Sequence, residues 1–221
     1  MFNLSDVPNG TGLGLPLLRQ YQLVTELEER HRLWDRPGKL SLLYFLTYGL
    51  LGTYSDALAL AAATGTTPST GSVRHFRYKD GISLNLEQQL APGLGGFVRA
   101  GWTQPGVEED DFTDIDESLS FGVSLSGDRW DRPDDRIGLA AVVNQISHNA
   151  KLYFRAGGIG GVIGDGQLPA AGPEQIIETY YRYALTKDVR VSSDYQFINN
   201  PAYNRQRGPV SVFALRMHAE F

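Results

Sequence analysis

The chain has 221 residues, 25 of them Gly and 11 Pro, with 42% apolar residues, 20% charged residues and no Cys. The missing cysteine excludes disulfide scaffolds, thiolate metal sites, iron–sulfur clusters and Cys nucleophiles. Twenty basic against twenty-five acidic residues give a formal net charge of -5, so the positive surface that displaces counterions in sequence-independent nucleic-acid binding is lacking, and no nucleic-acid partner is expected.

Mean hydropathy is -0.25, which by itself suggests a soluble protein but excludes only helical membrane proteins. The longest apolar stretch, Leu40 to Leu51, falls short of the ~20 residues of a spanning helix. A transmembrane β-barrel hides from hydropathy because its lipid-facing and lumen-facing residues alternate and average out. The N-terminus, Met1 to Asp6, has neither a basic n-region nor an apolar h-region, so the chain reads as cytoplasmic or as a piece of something longer.

In chain order, residues 1–17 read as a loop-like segment, with Asn9-Gly10-Thr11-Gly12 at its centre, and 18–221 as a run of strands. Strands are predicted at 18–30, 38–50, 81–90, 94–103, 117–126, 135–147, 174–185, 189–198 and 208–221. The signal is period-2 alternation. Ile82, Leu84, Leu86 and Leu90 oppose Ser83, Asn85, Glu87 and Gln89; Leu119, Phe121, Val123 and Leu125 oppose Ser118, Ser120, Gly122 and Ser124. Ile177, Thr179, Tyr181, Tyr183 and Leu185 alternate with Glu178, Tyr180 and Arg182, and Val189, Val191, Tyr195 and Phe197 with Arg190, Ser192, Asp194 and Gln196. At the end, Phe213, Leu215, Met217, Ala219 and Phe221 alternate with Arg216, His218 and Glu220.

A soluble β-sandwich, structural or carbohydrate-binding, would also alternate, with the polar residues outside. Two features favour a barrel. Ordinary strands average ~5–6 residues, whereas membrane-spanning ones need ~9–11. The connections also alternate in length: His31 to Pro37, Ala91 to Gly93, Gly127 to Asp134 and Thr186 to Asp188 are short, while Leu51 to Asp80, Gln104 to Glu117, His148 to Pro173 and Asn199 to Arg207 are long. Outer-membrane barrels have short periplasmic turns and longer extracellular loops. All-β, antiparallel and transmembrane is therefore the expected fold class. Nine strands is odd, and single-chain bacterial barrels are even. Either a strand is hidden, with Gly71 to Lys79 the candidate, or the sheet is the C-terminal part of a larger barrel whose first strand, near Leu18–Arg30, lacks its natural partner.

The terminal Phe221, with apolar residues two, four, six and eight positions before it, has the pattern of an outer-membrane insertion signal: an exposed edge strand that the barrel-assembly machinery can pair with. Several segments resemble the carbohydrate-selective porin (OprB) family: Leu84-Asn-Leu-Glu-Gln-Gln-Leu90, Phe112-Thr-Asp-Ile-Asp116, Arg129-Trp-Asp-Arg-Pro-Asp-Asp135, Asp194-Tyr-Gln-Phe-Ile-Asn-Asn-Pro201, Tyr203-Asn-Arg-Gln-Arg-Gly-Pro-Val210 and Leu215-Arg-Met-His-Ala-Glu-Phe221. The resemblance runs from about Gln20 onward and covers the family's C-terminal half. It implies an outer-membrane barrel of the 16–18-strand porin class, about 9–10 strands of which lie here, that lets mono- or oligosaccharides diffuse passively into the periplasm among outer-membrane lipids and lipopolysaccharide.

Other motifs have plainer readings. Gly157-Gly158-Ile159-Gly160-Gly161 with Gly164-Asp165-Gly166 is glycine-rich but does not open a helix after a strand, so it reads as an extracellular loop instead of a nucleotide site. Val107 to Glu117 holds seven carboxylates and reads as a solvated loop, with cation bridging to lipopolysaccharide phosphates as the functional alternative. His31, His75, His148 and His218 lack metal-ligand spacing. No Gly-x-Ser-x-Gly elbow is present, so an enzyme is not expected, nor a cofactor. Ala57 to Ala63, in a long loop, is the only helix-prone stretch.

A sugar-selective lumen wants polar groups for hydroxyls and aromatic faces for C–H stacking, and selectivity in pores comes from the lining groups. The polar faces offer Asn85, Glu87, Arg99, Glu178, Arg182, Asp194, Gln196, Arg216 and Glu220. Paired opposite charges there set a transverse field that suits dipolar solutes without strongly admitting one sign of ion.

Overall fold

The computed structural model describes residues 2–3, 19–109, 114–161 and 163–220. Nine long strands form among them, each paired antiparallel with the next: β2 (Tyr21–Leu33), β3 (Arg36–Leu51), β4 (His75–Ala91), β5 (Leu94–Thr103), β6 (Glu117–Gly127), β7 (Arg132–Gln145), β8 (Glu174–Ala184), β9 (Val189–Asn199) and β10 (Val210–Ala219). The two-residue β1 (Phe2–Asn3) pairs with Gln22 and Tyr21 at the start of β2. The sheet is open: its order runs β1 to β10 without returning. The remainder of the 1–17 segment lies outside the described residues, as does the terminal Phe221.

The short turns follow from local chemistry. Trp34 and Asp35 both take positive φ, 51° and 59°, as the two-residue hairpin turn that matches strand twist requires. Pro92-Gly93, with Gly93 at φ 72°, supplies the fixed φ and the left-handed residue of a type II turn. A one-turn 3₁₀ segment, Asp128–Trp130, links β6 to β7. Strict up-and-down order puts these turns and Leu185–Asp188 at one rim, and the long loops 52–74, 104–116, 146–173 and 200–209 at the other.

The alternation has the expected meaning. Phe213, Leu215 and Met217 are 78%, 79% and 73% exposed, and Leu119, Phe121 and Val123 are also exposed. Leu125 is half-buried near the short-turn rim. Among the described residues no second sheet packs on this face, which disposes of the sandwich. Aromatic residues of the same phase gather at both rims. Tyr48 contacts Tyr21, Phe76 and Tyr78 at the long-loop end, with ring centroids 4.7–5.7 Å apart. At the short-turn end Trp130 Nε1 donates to the Tyr181 hydroxyl at 3.1 Å. Amphipathic rings in two girdles about an apolar band are what the two water–lipid boundaries select. The substitution Phe121→Arg, at the middle of β6, is expected to cost about 2–4 kcal/mol in guanidinium unfolding from lipid vesicles, whereas Ser120→Arg on the other face costs close to none.

The long-loop rim carries its own small core. Helix α1 (Tyr54–Thr64) is capped by Thr53, whose hydroxyl accepts from the Asp56 N–H, and ends at Gly65 with φ 66°. Helix α2 (His148–Arg155) is capped by Ser147, which accepts from the Ala150 N–H. Tyr54, Ala57, Ile146, Tyr153, Phe154, Ile163, Leu168 and Tyr203 are buried together between them and the loops. Loop residues also cover the polar face of the sheet, where Leu51, Thr47, Lys79 and Asn144 are buried. That face is the lumen side.

Four expectations need correcting. Residues 71–79 are not a hidden strand: Thr70–Val73 is a 3₁₀ turn and His75 onward begins β4. The long loop after 147 opens with a helix, α2. The first long strand has a partner, β1, although only over two residues. The carboxylate run is not a solvated loop, because Glu108, Asp114 and Asp116 are buried; residues 110–113 within it lie outside the described residues.

Candidate functional site

Directly paired residues share a face of the sheet, so register defines the lumen wall. One row crosses the sheet: Arg30, Lys39, Glu87, Phe97, Gly122, Ala140, Glu178, Gln196 and Val212. The row on the long-loop side holds Glu28, Ser41, Asn85, Arg99 and Ser120. On the other side lies Gly95, Ser124, Gly138, Tyr180, Asp194 and Ala214.

Two polar patches stand on this wall. In the first, over β2 to β5, charges alternate from strand to strand. Arg30 Nε donates to Glu28 at 2.7 Å, Lys39 Nζ sits 3.5 Å from Glu28 and 4.0 Å from Glu87, and Arg99 sits 3.8 Å from Glu87. Asn85 closes the chain, accepting from Arg99 Nε at 2.9 Å and donating to Glu87 at 3.0 Å. The second patch, over β8 to β10, joins Gln196 Nε2 to Glu178 at 3.1 Å, with Asp194 and Arg216 flanking that carboxylate. Strand β6 separates the patches, presenting Ser118, Ser120, Gly122 and Ser124 and no charge on this face.

Eight of the nine predicted lining residues therefore lie on the lumen face of the strands. Glu220 follows β10 instead of lining the wall: its N–H donates to Asp188 O, and its carboxylate meets Arg190 at 3.4 Å and His218 at 3.0 Å at the short-turn rim. Those two partners hold the Glu220 carboxyl below its ordinary range. Glu28, Arg30, Lys39, Phe97, Arg136 and Tyr180 were not among the predicted residues, although the phase of their strands carried the signal. Phe97 and Tyr180 are aromatics on the polar phase, each directly opposite a glycine, Gly122 and Gly138. A Cβ on either glycine would collide with the facing ring. The missing side chains let both rings lie against the wall.

At the long-loop rim, charge is buried. Arg74 holds Glu108 through two bonds, 2.6 and 2.8 Å, and Glu108 also accepts from the Gly52 N–H at 2.7 Å. Lys79, 2% exposed, donates to Glu109 at 2.7 Å and to Val107 O at 2.9 Å. Asp116 accepts from the Ser147 N–H at 2.6 Å, and Asp114 accepts from the Ile163 N–H at 3.4 Å. The run thus ties three loops to one another, with Tyr54 and Ile159 walling a cavity of about 180 Å³ beside it.

Burial pushes the Glu109 carboxyl above its ordinary range; Asp116 and Asp114 add to that, and Lys79 opposes it. A carboxyl raised in the folded state favours folding when protonated. Its contribution is fully present below the ordinary glutamate value of 4.5 and is lost as pH rises through the raised folded value. Amide exchange around 104–109, corrected for intrinsic rates, should show more protection as pH falls toward that value. The Glu109→Gln variant should lose this dependence.

Comparison with known proteins matches this architecture. The family model described as carbohydrate-selective porin, OprB family, matches residues 3–221. The solved structure of Pseudomonas putida OprB at high pH superposes with a TM-score of 0.77 at 19% identity, over 96% of this chain and 51% of that one. The chain thus spans about half the length of that porin, as part of a barrel wall. No curated protein matches. A match along nearly the whole sequence to a family of outer-membrane porins, not of enzymes, together with an apolar band outside, a charged wall inside and loops folded over it, means that the chain belongs to the carbohydrate-selective porin (OprB) family.

Proposed function

We propose that this chain forms part of the wall of an outer-membrane channel for passive, carbohydrate-selective passage into the periplasm. The observation that carries the reading is the lumen face itself: charges balanced from strand to strand, with two aromatic rings laid against glycines among them. Sugars are neutral, dense in hydroxyls and apolar on their C–H faces. Glu28, Lys39, Glu87, Arg99 and Asn85 offer donors and acceptors to hydroxyls, and Phe97 and Tyr180 offer surfaces for C–H faces. Within the same reading, Glu178, Asp194, Gln196 and Arg216 serve as the opposite wall's contacts, and Arg182 adds a cation to it. Glu220 acts at the exit.

The partners are mono- or oligosaccharides in transit, with outer-membrane lipid and lipopolysaccharide around the apolar band. The barrel-assembly machinery engages the β10 edge. The test is uptake in the source cell. Deleting the coding sequence should lower uptake of a radiolabelled monosaccharide at low external concentration several-fold, and leave uptake of an amino acid of similar size unchanged. Equal loss of both would make the channel general, and no loss would sink the reading.

A further inference from the structure

The polar wall holds a charge arrangement that neutral sugars do not explain. Arg136 and Arg182 are directly opposite each other on β7 and β8. Like charges in that position repel. Among the described residues neither has a carboxylate within 4.0 Å: Glu87 is engaged by Lys39 and Arg99, and Glu178 by Gln196. The Nε of Arg182 is buried and meets no hydrogen-bond acceptor among the described residues. An arginine donor without an acceptor is costly to bury. Among the other cations of the wall, Arg30, Lys39 and Arg99 each face Glu28 or Glu87, Lys79 meets Glu109, and Arg77, whose Nε is likewise without an acceptor among the described residues, still has Asp56 at 3.5 Å.

Arg136 opens onto a concavity of about 680 Å³ on the lumen face, within the size range of small-molecule sites. Tyr180 and Phe97 line it, with Arg30, Lys39 and Arg99, and Glu87 is the sole carboxylate lining it among the described residues. The Arg99 guanidinium lies 4.8 Å from the centre of the Phe97 ring, so one side of that ring is already used by a cation. Tyr180, laid against Gly138 and one residue row from the Arg pair, lines the concavity beside the exposed Arg136, with Arg182 half-buried next to it on β8.

We propose that Arg136 and Arg182, with Tyr180, form a subsite for an anionic monosaccharide, its carboxylate held between the two guanidinium groups and its pyranose ring against Tyr180. The proposal rests on the sugar-channel reading and narrows it. A planar carboxylate matches the donor fork of arginine and relieves the repulsion of the pair by supplying the counter-charge that both arginines lack. The ring contact separates a sugar acid from a simple anion.

The test uses the wild-type chain refolded in detergent micelles, followed by saturation-transfer NMR with irradiation of the protein's aromatic signals. D-glucuronate is expected to bind about tenfold more tightly than methyl α-D-glucopyranoside, with saturation concentrated on the ring C–H protons. Raising salt from about 0.05 to about 0.5 M should erase that difference by screening. Arg136→Gln and, separately, Arg182→Gln should bring glucuronate down to the level of the glucoside and leave the glucoside unchanged. Equal binding of the two sugars by the wild type overturns the subsite whatever the variants do. Glucose 6-phosphate binding more tightly than glucuronate overturns the carboxylate assignment, and acetate competing as well as glucuronate overturns the ring contact. Uptake of the neutral monosaccharide in cells is independent of all these outcomes, so the channel reading fails or stands separately.

Discussion

Inserted alone into a planar bilayer, the 221-residue chain is expected to show no steady unitary conductance. Closure requires the two edge strands to pair, and the strand count decides whether they can. Counting β2 as the first long strand and β10 as the last, the edges run parallel, whereas a bacterial barrel closes antiparallel. The short β1 restores the even count but covers only Tyr21 and Gln22. From Leu23 to Leu33 the outer edge of β2 is without a strand partner among the described residues. At the other side β10 is exposed at all ten positions. Each unpaired backbone group facing hydrocarbon costs several kcal/mol, and two edges of this length multiply that cost. The solved porin to which the chain is similar is about twice as long, which is the scale of wall that closure calls for. A steady conductance blocked by sugar, from this chain alone, would show that the edges meet and would defeat the argument.

The strands were legible because a membrane-spanning strand is long and its two faces meet different solvents, so Leu119 to Leu125 and Phe213 to Met217 display the alternation in full. Turn chemistry sharpened the boundaries at Pro92-Gly93. Helix α1 was legible from its alanines. Helix α2 was not: two turns are too few for a 3.6-residue period to stand out, and the faces of Tyr153 and Phe154 are decided by α1 and the 157–168 loop. The carboxylate run misled for a physical reason. Seven acidic residues among the eleven from Val107 to Glu117 argue for water unless cations reach them, and those cations, Arg74 and Lys79, come from a separate loop and strand some thirty residues away. The aromatic–glycine pairs are likewise a property of register. Phe97 against Gly122 and Tyr180 against Gly138 cannot be seen until the strands are aligned, although once they are, the phase of each aromatic marks it as lumen-facing.

The buried cation at the long-loop rim gives the largest expected effect of a single substitution. Lys79→Met keeps the length and apolar stem of the side chain but removes the charge that faces Glu109. Glu108 stays matched to Arg74, yet Glu109 is left nearly enclosed with Asp114 and Asp116 nearby and no cation in contact among the described residues. Breaking one side of a buried pair costs about 3–5 kcal/mol, because the remaining charge keeps its desolvation penalty and loses its compensation. The loss should appear first where the pair ties structure together. Val107, whose carbonyl accepts from Lys79, is bridged to Thr53, the α1 cap, so amide protection should fall across 52–58 and 104–109, while β6 to β9 keep theirs. The double variant Lys79→Met with Glu109→Gln removes both charges and should recover more than half of the loss, since an uncharged pair of similar volume carries little desolvation penalty. Guanidinium unfolding and hydrogen exchange read the two variants side by side. A single variant that costs under about 1 kcal/mol, or a double variant no more stable than the single, would mean that the rim is held by its apolar core of Tyr54, Tyr153 and Phe154 and not by the charges beneath it.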